Sequence, residues 1–184
     1  MLKQLQLTPA EYNYFGVDSH SFSIARDSTT FVKEDAFAGE DIRKITLALI
    51  RSDNFAGSQT TSALHFAKHN LQQVKISRSG KTLIDIDCTS NAQLFFNTLK
   101  SLNYVNDGPQ VSLSTYPNHF YMVFDLTSVE ESFTEVHYPE TIGAAIKIEL
   151  KFSVALGHAL ELLAFGEKLT TVSLDKTGRV TKNG

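Results

Sequence analysis

Apolar and polar residues alternate along much of this chain, and the repeat is two residues rather than 3.6. Ser19–Ala25 sets Phe22 and Ile24 on one side against Ser21 and Ser23 on the other. In Ile42–Arg51, Ile45, Leu47 and Leu49 share a face, opposed by Lys44, Thr46, Ala48 and Ile50, which predicts a strand buried on nearly both sides. Leu71–Arg78 and Lys81–Asp87 flank Ser79-Gly80, a pair suited to a two-residue hairpin turn. Phe120–Leu126 alternates Phe120, Met122, Phe124 and Leu126 against Tyr121, Val123 and Asp125. Ala145–Phe152 sets Ile146, Ile148, Leu150 and Phe152 against Lys147, Glu149 and Lys151, a half-exposed strand. Ala159–Phe165 and Leu169–Leu174 follow, closed by the turn residues Asp175-Lys176-Thr177-Gly178.

One segment changes period. Ala92, Phe95, Phe96, Leu99 and Leu102 form the stripe of an amphipathic helix within Ser90–Asn103, with Ser90 or Asn91 as its cap. Glycines, among them Gly39, Gly80 and Gly166, recur at intervals that suit strand–turn–strand organisation. The pattern predicts an all-β protein: a two-sheet antiparallel sandwich with one inserted helix near residues 90–103, a jelly roll being the leading topology. The expected division is an extension over residues 1–18, with a short helix starting at Thr8-Pro9-Ala10-Glu11 or an interaction arm, and a single domain over residues 19–184.

Composition agrees with strands: thirteen Phe and six Tyr stand against no Trp. With 184 residues, 42% hydrophobic and 20% charged, the chain has the size and makeup of one globular domain. A net charge of −3, without clustered basic residues, gives no electrostatic footprint for nucleic acid. Cys88 is the only cysteine, so an intrachain disulfide framework is excluded. The opening Met-Leu-Lys-Gln-Leu-Gln-Leu has no apolar core of a secretory signal, and no apolar run reaches the length of a membrane span. These features place the expected site of action inside the cell, in cytoplasm or nucleus.

The search for chemistry returns little. His65 and His69 have the i, i+4 spacing of two zinc ligands on a helix, but no Glu follows His65 as a zincin motif requires, and no His-x-His occurs. Cys88 lies between acidic and apolar neighbours that disfavour a thiolate and reads as a buried strand-end residue. No nucleophile elbow, phosphate loop or dinucleotide fingerprint is present. Glu130-Glu131 reads as a solvated loop. Asp125, inside an apolar strand, is expected to be held by backbone amides at a turn. Tyr12, Tyr14 and Phe15 read equally as core or as a patch for a partner chain. No catalytic, cofactor or metal residues are assigned; the expected structural or interface residues are Tyr12, Tyr14, Phe15, Asn54, Phe55, Gly57 and Asp125.

A series of phrases then resembles one family, the second, carboxy-terminal jelly roll of the hexon-like double jelly-roll major capsid protein of Maverick/Polinton-type, adintovirus-like elements. Ser21-Phe22-Ser23-Ile24 resembles its Phe-Ser-Ile opening strand, and Arg51-Ser52-Asp53-Asn54-Phe55-Ala56-Gly57-Ser58 resembles its Asn-Asp-Ala-Phe-Asn-Gly-Ser turn. His69-Asn70-Leu71 and the strand ending at Ser79-Gly80 are similar to its His-Tyr-Asn-Leu and Val-Asp-Gly pair. Tyr116-Pro117, Phe124-Asp125-Leu126-Thr127 and Ile146-Lys147-Ile148-Glu149-Leu150-Lys151-Phe152 continue the series in order, covering about Ser19 to Val180. Two departures stand out. The family's Pro-rich segment is replaced by Lys81–Ile86, and the stretch before Ser19 is too short for its first roll.

The resemblance implies a non-enzymatic structural protein that acts through protein–protein contacts with itself or related capsid subunits, without cofactor, nucleic acid or membrane. A closed homo-oligomer, a trimer or pentamer, is the expected form. Contact surfaces are expected at Phe55 and on residues 104–119 and 128–143. Two alternatives stand beside it: the resemblance also admits a domesticated jelly-roll module that binds a host protein or carbohydrate, and His65 and His69 would admit a cupin-like metalloenzyme.

Overall fold

The computed structural model describes residues 10–57, 62, 64–102, 112–127, 145–174 and 177–183. In chain order these form β1 (Ala10–Ile24), β2 (Thr30–Lys33), β3 (Ile42–Arg51), a one-turn helix α1 (Ser52–Phe55), β4 (Leu71–Arg78) and β5 (Lys81–Asp87). They continue with α2 (Asn91–Ser101), a 3-10 turn at Tyr116–Asn118, β6 (Tyr121–Asp125), β7 (Ile146–Phe152), β8 (Leu160–Leu174) and β9 (Val180–Asn183).

The sheet order follows a simple rule. One sheet runs β1-β8-β3-β6, with β9 added beside β8, and the other runs β2-β7-β4-β5. The antiparallel pairs β1·β8, β2·β7, β3·β6 and β4·β5 are nested, so the first eight strands form one long hairpin folded alternately into two sheets. That is the jelly roll expected from the alternation. At its tip, Ser79 (φ 50°) and Gly80 (φ 79°) both take left-handed conformations, as a two-residue turn that follows the strand twist requires.

The inner faces of both sheets meet in one core. Ile45, Leu47 and Leu49 of β3, Leu160, Leu162 and Ala164 of β8, and Met122 and Phe124 of β6 pack against Val74 and Ile76 of β4 and Ile146, Ile148, Leu150 and Phe152 of β7. Ala48 and Ile50, on the other side of β3, are buried too, as the two-sided pattern predicts. Helix α2 starts after Ser90, whose Oγ accepts the Gln93 N–H at 3.3 Å, and buries Leu94, Phe95 and Leu99. Phe96, counted in the apolar stripe, points outward instead.

Three expectations change. The boundary at 18/19 falls inside β1: residues 10–18 pair with β8 from Leu174 to Gly166. Ala10 and Glu11 are therefore extended rather than helical, because Glu11/Asn13 and Tyr12/Tyr14 continue the two-residue alternation along a ready partner. Second, Ala159–Phe165 and Leu169–Leu174 are one strand, and Gly166 is no turn. It lies in mid-strand where Ile42 and Phe37 press on the backbone; an added Cβ would stand 2.8 and 2.9 Å from their side chains. Third, β2 and β9 carry too few residues for periodicity to reveal.

Candidate assembly surfaces

Three regions carry the features that sequence reasoning singled out. The first is the corner after β3. Arg51 grips Asp53 with two bonds, Nε at 3.0 Å and Nη2 at 2.6 Å, and Asp53 Oδ1 accepts the N–H of Asn54 at 3.0 Å. The Arg51 guanidinium and these hydrogen bonds hold the Asp53 carboxyl below its ordinary range. Asn54 is buried, and Gly57 closes the turn at φ +98°. Phe55 is left half exposed (50%) at the apex. The phrase thus builds a rigid corner that presents one aromatic ring.

Beside it lies a pair that spacing alone did not suggest. His65 and His69 do not share a helix; His69 sits just before β4 in a left-handed conformation (φ 50°), followed by Asn70 (φ 60°). Its Nδ1 stands 3.2 Å from Nε2 of His158, on the turn before β8. Burial, with His158 and His65 alongside, lowers the His69 pKa to about 4, and burial lowers that of His158 as well. His69 Nε2 is buried without a hydrogen-bond partner among the described residues. Among the described residues, no group of three or more His, Cys, Asp or Glu side chains comes together as a metal cage would. Each histidine occupies an unremarkable loop position in the sequence, so only the fold brings them together.

The second region is the outer margin of β6. Here the Val123 N–H points to Thr98 Oγ1 of α2 at 3.4 Å, and the Tyr116 hydroxyl donates to the Tyr121 carbonyl at 2.6 Å. Thr98 and Tyr116 are themselves buried, and burial pushes the Tyr116 hydroxyl up to about 12. Phe95 and Phe120 pack on the Tyr116 ring. Two polar groups of this edge, the Val123 N–H and the Tyr121 carbonyl, are therefore answered by side chains, and among the described residues no strand pairs beyond β6. Asp125, at the end of β6, is buried and accepts both the N–H (2.9 Å) and the hydroxyl (2.6 Å) of Thr127, the local turn expected of it. Cys88 is fully buried, and its thiol is pushed up to about 11 by that burial.

The third region is the far end of β1 with the end of β8 and β9, a three-stranded tongue continuing past the last β3 partner, Ile42. Tyr12 (56%), Tyr14 (42%) and Phe15 (41%) are exposed on it and are not part of the core. Tyr12 and Tyr14 share the face that leads into the core, and the Lys182 ammonium lies 5.9 Å from the Tyr14 ring. Phe15 lies opposite Leu169 on the other face. At the root of the tongue, Lys168 reaches Asp18 at 2.7 Å and Glu40 at 3.5 Å. The Lys168 bond lowers the Asp18 pKa, while burial raises that of Glu40. Of the expected contact surfaces, residues 104–111 and 128–143 lie outside the described residues, and 112–119 carry the 3-10 turn at Tyr116–Asn118.

No protein-family model matches the chain, and no curated protein matches it by sequence. Solved structures do. The chain is similar to the mavirus major capsid protein, with a TM-score of 0.54 at 10% identity over 95% of this chain and 41% of that one. It is similar to a chain of the Sputnik virophage (TM-score 0.58, 12% identity, 95% and 39%) and of the PBCV-1 virus capsid (0.53, 10%, 96% and 52%). At these identities the likeness is one of fold, and the chain spans two fifths to about half of the chains it matches.

Proposed function

We propose that this chain is a non-enzymatic, capsid-type jelly-roll domain that works by self-association or by docking related subunits. The observation that carries the reading is the nested strand order of the two sheets, shared as a fold with capsid proteins of three viruses. The ordered phrases add a narrower affiliation with Maverick/Polinton-type elements. The sandwich supplies a rigid wall, and the Phe55 corner and the Tyr12/Tyr14/Phe15 tongue supply the contacts; Asn54, Gly57 and Asp125 hold the frame behind them. The assembly expected is a closed homo-oligomer within a virion-like particle. Light scattering coupled to size exclusion, followed by negative-stain microscopy, tests it. Concentration-dependent oligomers or shells are expected; a monomer at every concentration, alone and with related subunits, would overturn the proposal.

A further inference from the structure

The four margins of the two sheets are not alike. β2 is four residues long and ends in Lys33, whose ammonium sits over the Phe22 ring. β5 carries Lys81, Asp85 and Asp87 in seven residues, with Asp85 engaged by Gln73 at 2.6 Å. β6 is five residues long, and Thr98 and Tyr116 answer its outward groups. Short length, charge and a covering helix are the devices by which sheets avoid pairing with other chains. β1 is neither short nor, among the described residues, covered by a helix, and its formal charges are Glu11 and Asp18, the latter held by Lys168. It runs fifteen residues, contains no Lys, Arg or Pro, and among the described residues no strand or backbone group pairs with its outer margin. Its exposed positions include Tyr12, Tyr14, Phe15 and Val17.

We infer that this margin pairs with the β1 of a second copy, antiparallel and centred on Val17, a reading that rests on the self-association proposed above. In that register the strand is complementary to itself. Tyr12 faces Phe22 and Tyr14 faces His20 on the side continuous with the core, while Glu11 and Asn13 face Ser23 and Ser21 on the other. The acidic residues Glu11 and Asp18 never oppose one another, and Asp18 is already held by Lys168. All fifteen residues then find partners, and the two larger sheets join into one across a two-fold axis.

The test uses the full chain. Val17 is 58% exposed, so Val17→Cys and Val17→Lys leave the packing intact. A short bismaleimide is expected to join two Val17→Cys chains and not two Asn13→Cys chains, since Asn13 and its copy would stand about 27 Å apart along the strand. Val17→Lys is expected to weaken the association at least tenfold in sedimentation equilibrium. The buried Cys88 makes the parent chain the blank. Oligomers that form without Val17→Cys cross-linking, or in which Asn13→Cys links equally, would overturn this pairing and leave self-association standing. A strict monomer would remove both. Cross-linking of Val17→Cys only to a different chain would assign the margin to a foreign strand and overturn the proposal.

Discussion

Gly166→Ala tests how the core is closed over β8. The residue has extended backbone, so the new methyl adds no conformational strain of its own; the effect is steric. Its Cβ would stand 2.8 Å from Ile42 Cδ1, 3.1 Å from Ile42 Cγ1 and 2.9 Å from Phe37 Cε1. Ile42 and Phe37 are 0% and 1% exposed, so neither side chain can swing into solvent to make room. Overpacking of this kind costs about 1–3 kcal/mol. For a domain of this size each kcal/mol lowers Tm by about 2–4 °C, so the expected fall is about 2–12 °C. Gly157→Ala is the matched control, because nothing lies within 4 Å of its added Cβ and its φ is not positive. There the shorter list of unfolded conformations should leave stability unchanged or raise it by up to about 1 kcal/mol. Urea unfolding followed by circular dichroism gives both numbers. Equal midpoints for the two variants would refute the claim that Ile42 and Phe37 require a glycine at 166.

Tyr116→Phe leaves the Tyr121 carbonyl without its 2.6 Å donor and should cost about 1–3 kcal/mol in urea unfolding. Loss of stability on acidification should trace to His69. Its pKa is lowered on folding, so the unfolded chain binds more protons as pH falls from 6.5 toward about 4. Stability present above pH 6.5 is then lost through that window, by up to about 3 kcal/mol. His69→Asn should flatten this part of the pH profile, and an unchanged slope would count against the burial argument. The Cys88 thiol, held at about 11, should ignore iodoacetamide at pH 8 in the native protein and react once urea unfolds it.

Where burial differs between the two faces of a strand, the sequence is legible. β3, β4 and β5 have the expected bounds, β7 begins one residue later than expected, and β6 is one residue shorter at each end. The tongue was harder to read, because β1 is exposed on both faces from Glu11 to Phe15 and alternation carries no burial signal there. Gly166 misled because a glycine that admits a neighbour's side chain looks the same in sequence as one that turns the chain. The Asn54-Phe55-Ala56-Gly57 corner was legible as a phrase, but not the reason for it: Asn54 inward, Phe55 outward, Asp53 gripped by Arg51. Contacts such as His69 with His158 and Tyr116 with the Tyr121 carbonyl depend on where loops return, which local patterning does not encode.

The nested pairing of strands also ranks the loops that folding must close. β4 and β5 are joined by two residues and can zip while the rest of the chain is still loose, whereas β1 and β8 bring Ala10 to Leu174 and Ile24 to Leu160. Loop closure grows costlier with each layer, and a fold so rich in remote contacts completes on the millisecond-to-second scale. Loop closure therefore favours a course from the hairpin tip outward, with the β1·β8 pair, the longest closure, expected last. The outer margin of β1, unpaired among the described residues, is then complete only when the outermost layer closes, and in the pairing proposed above it becomes available to a second copy at that moment.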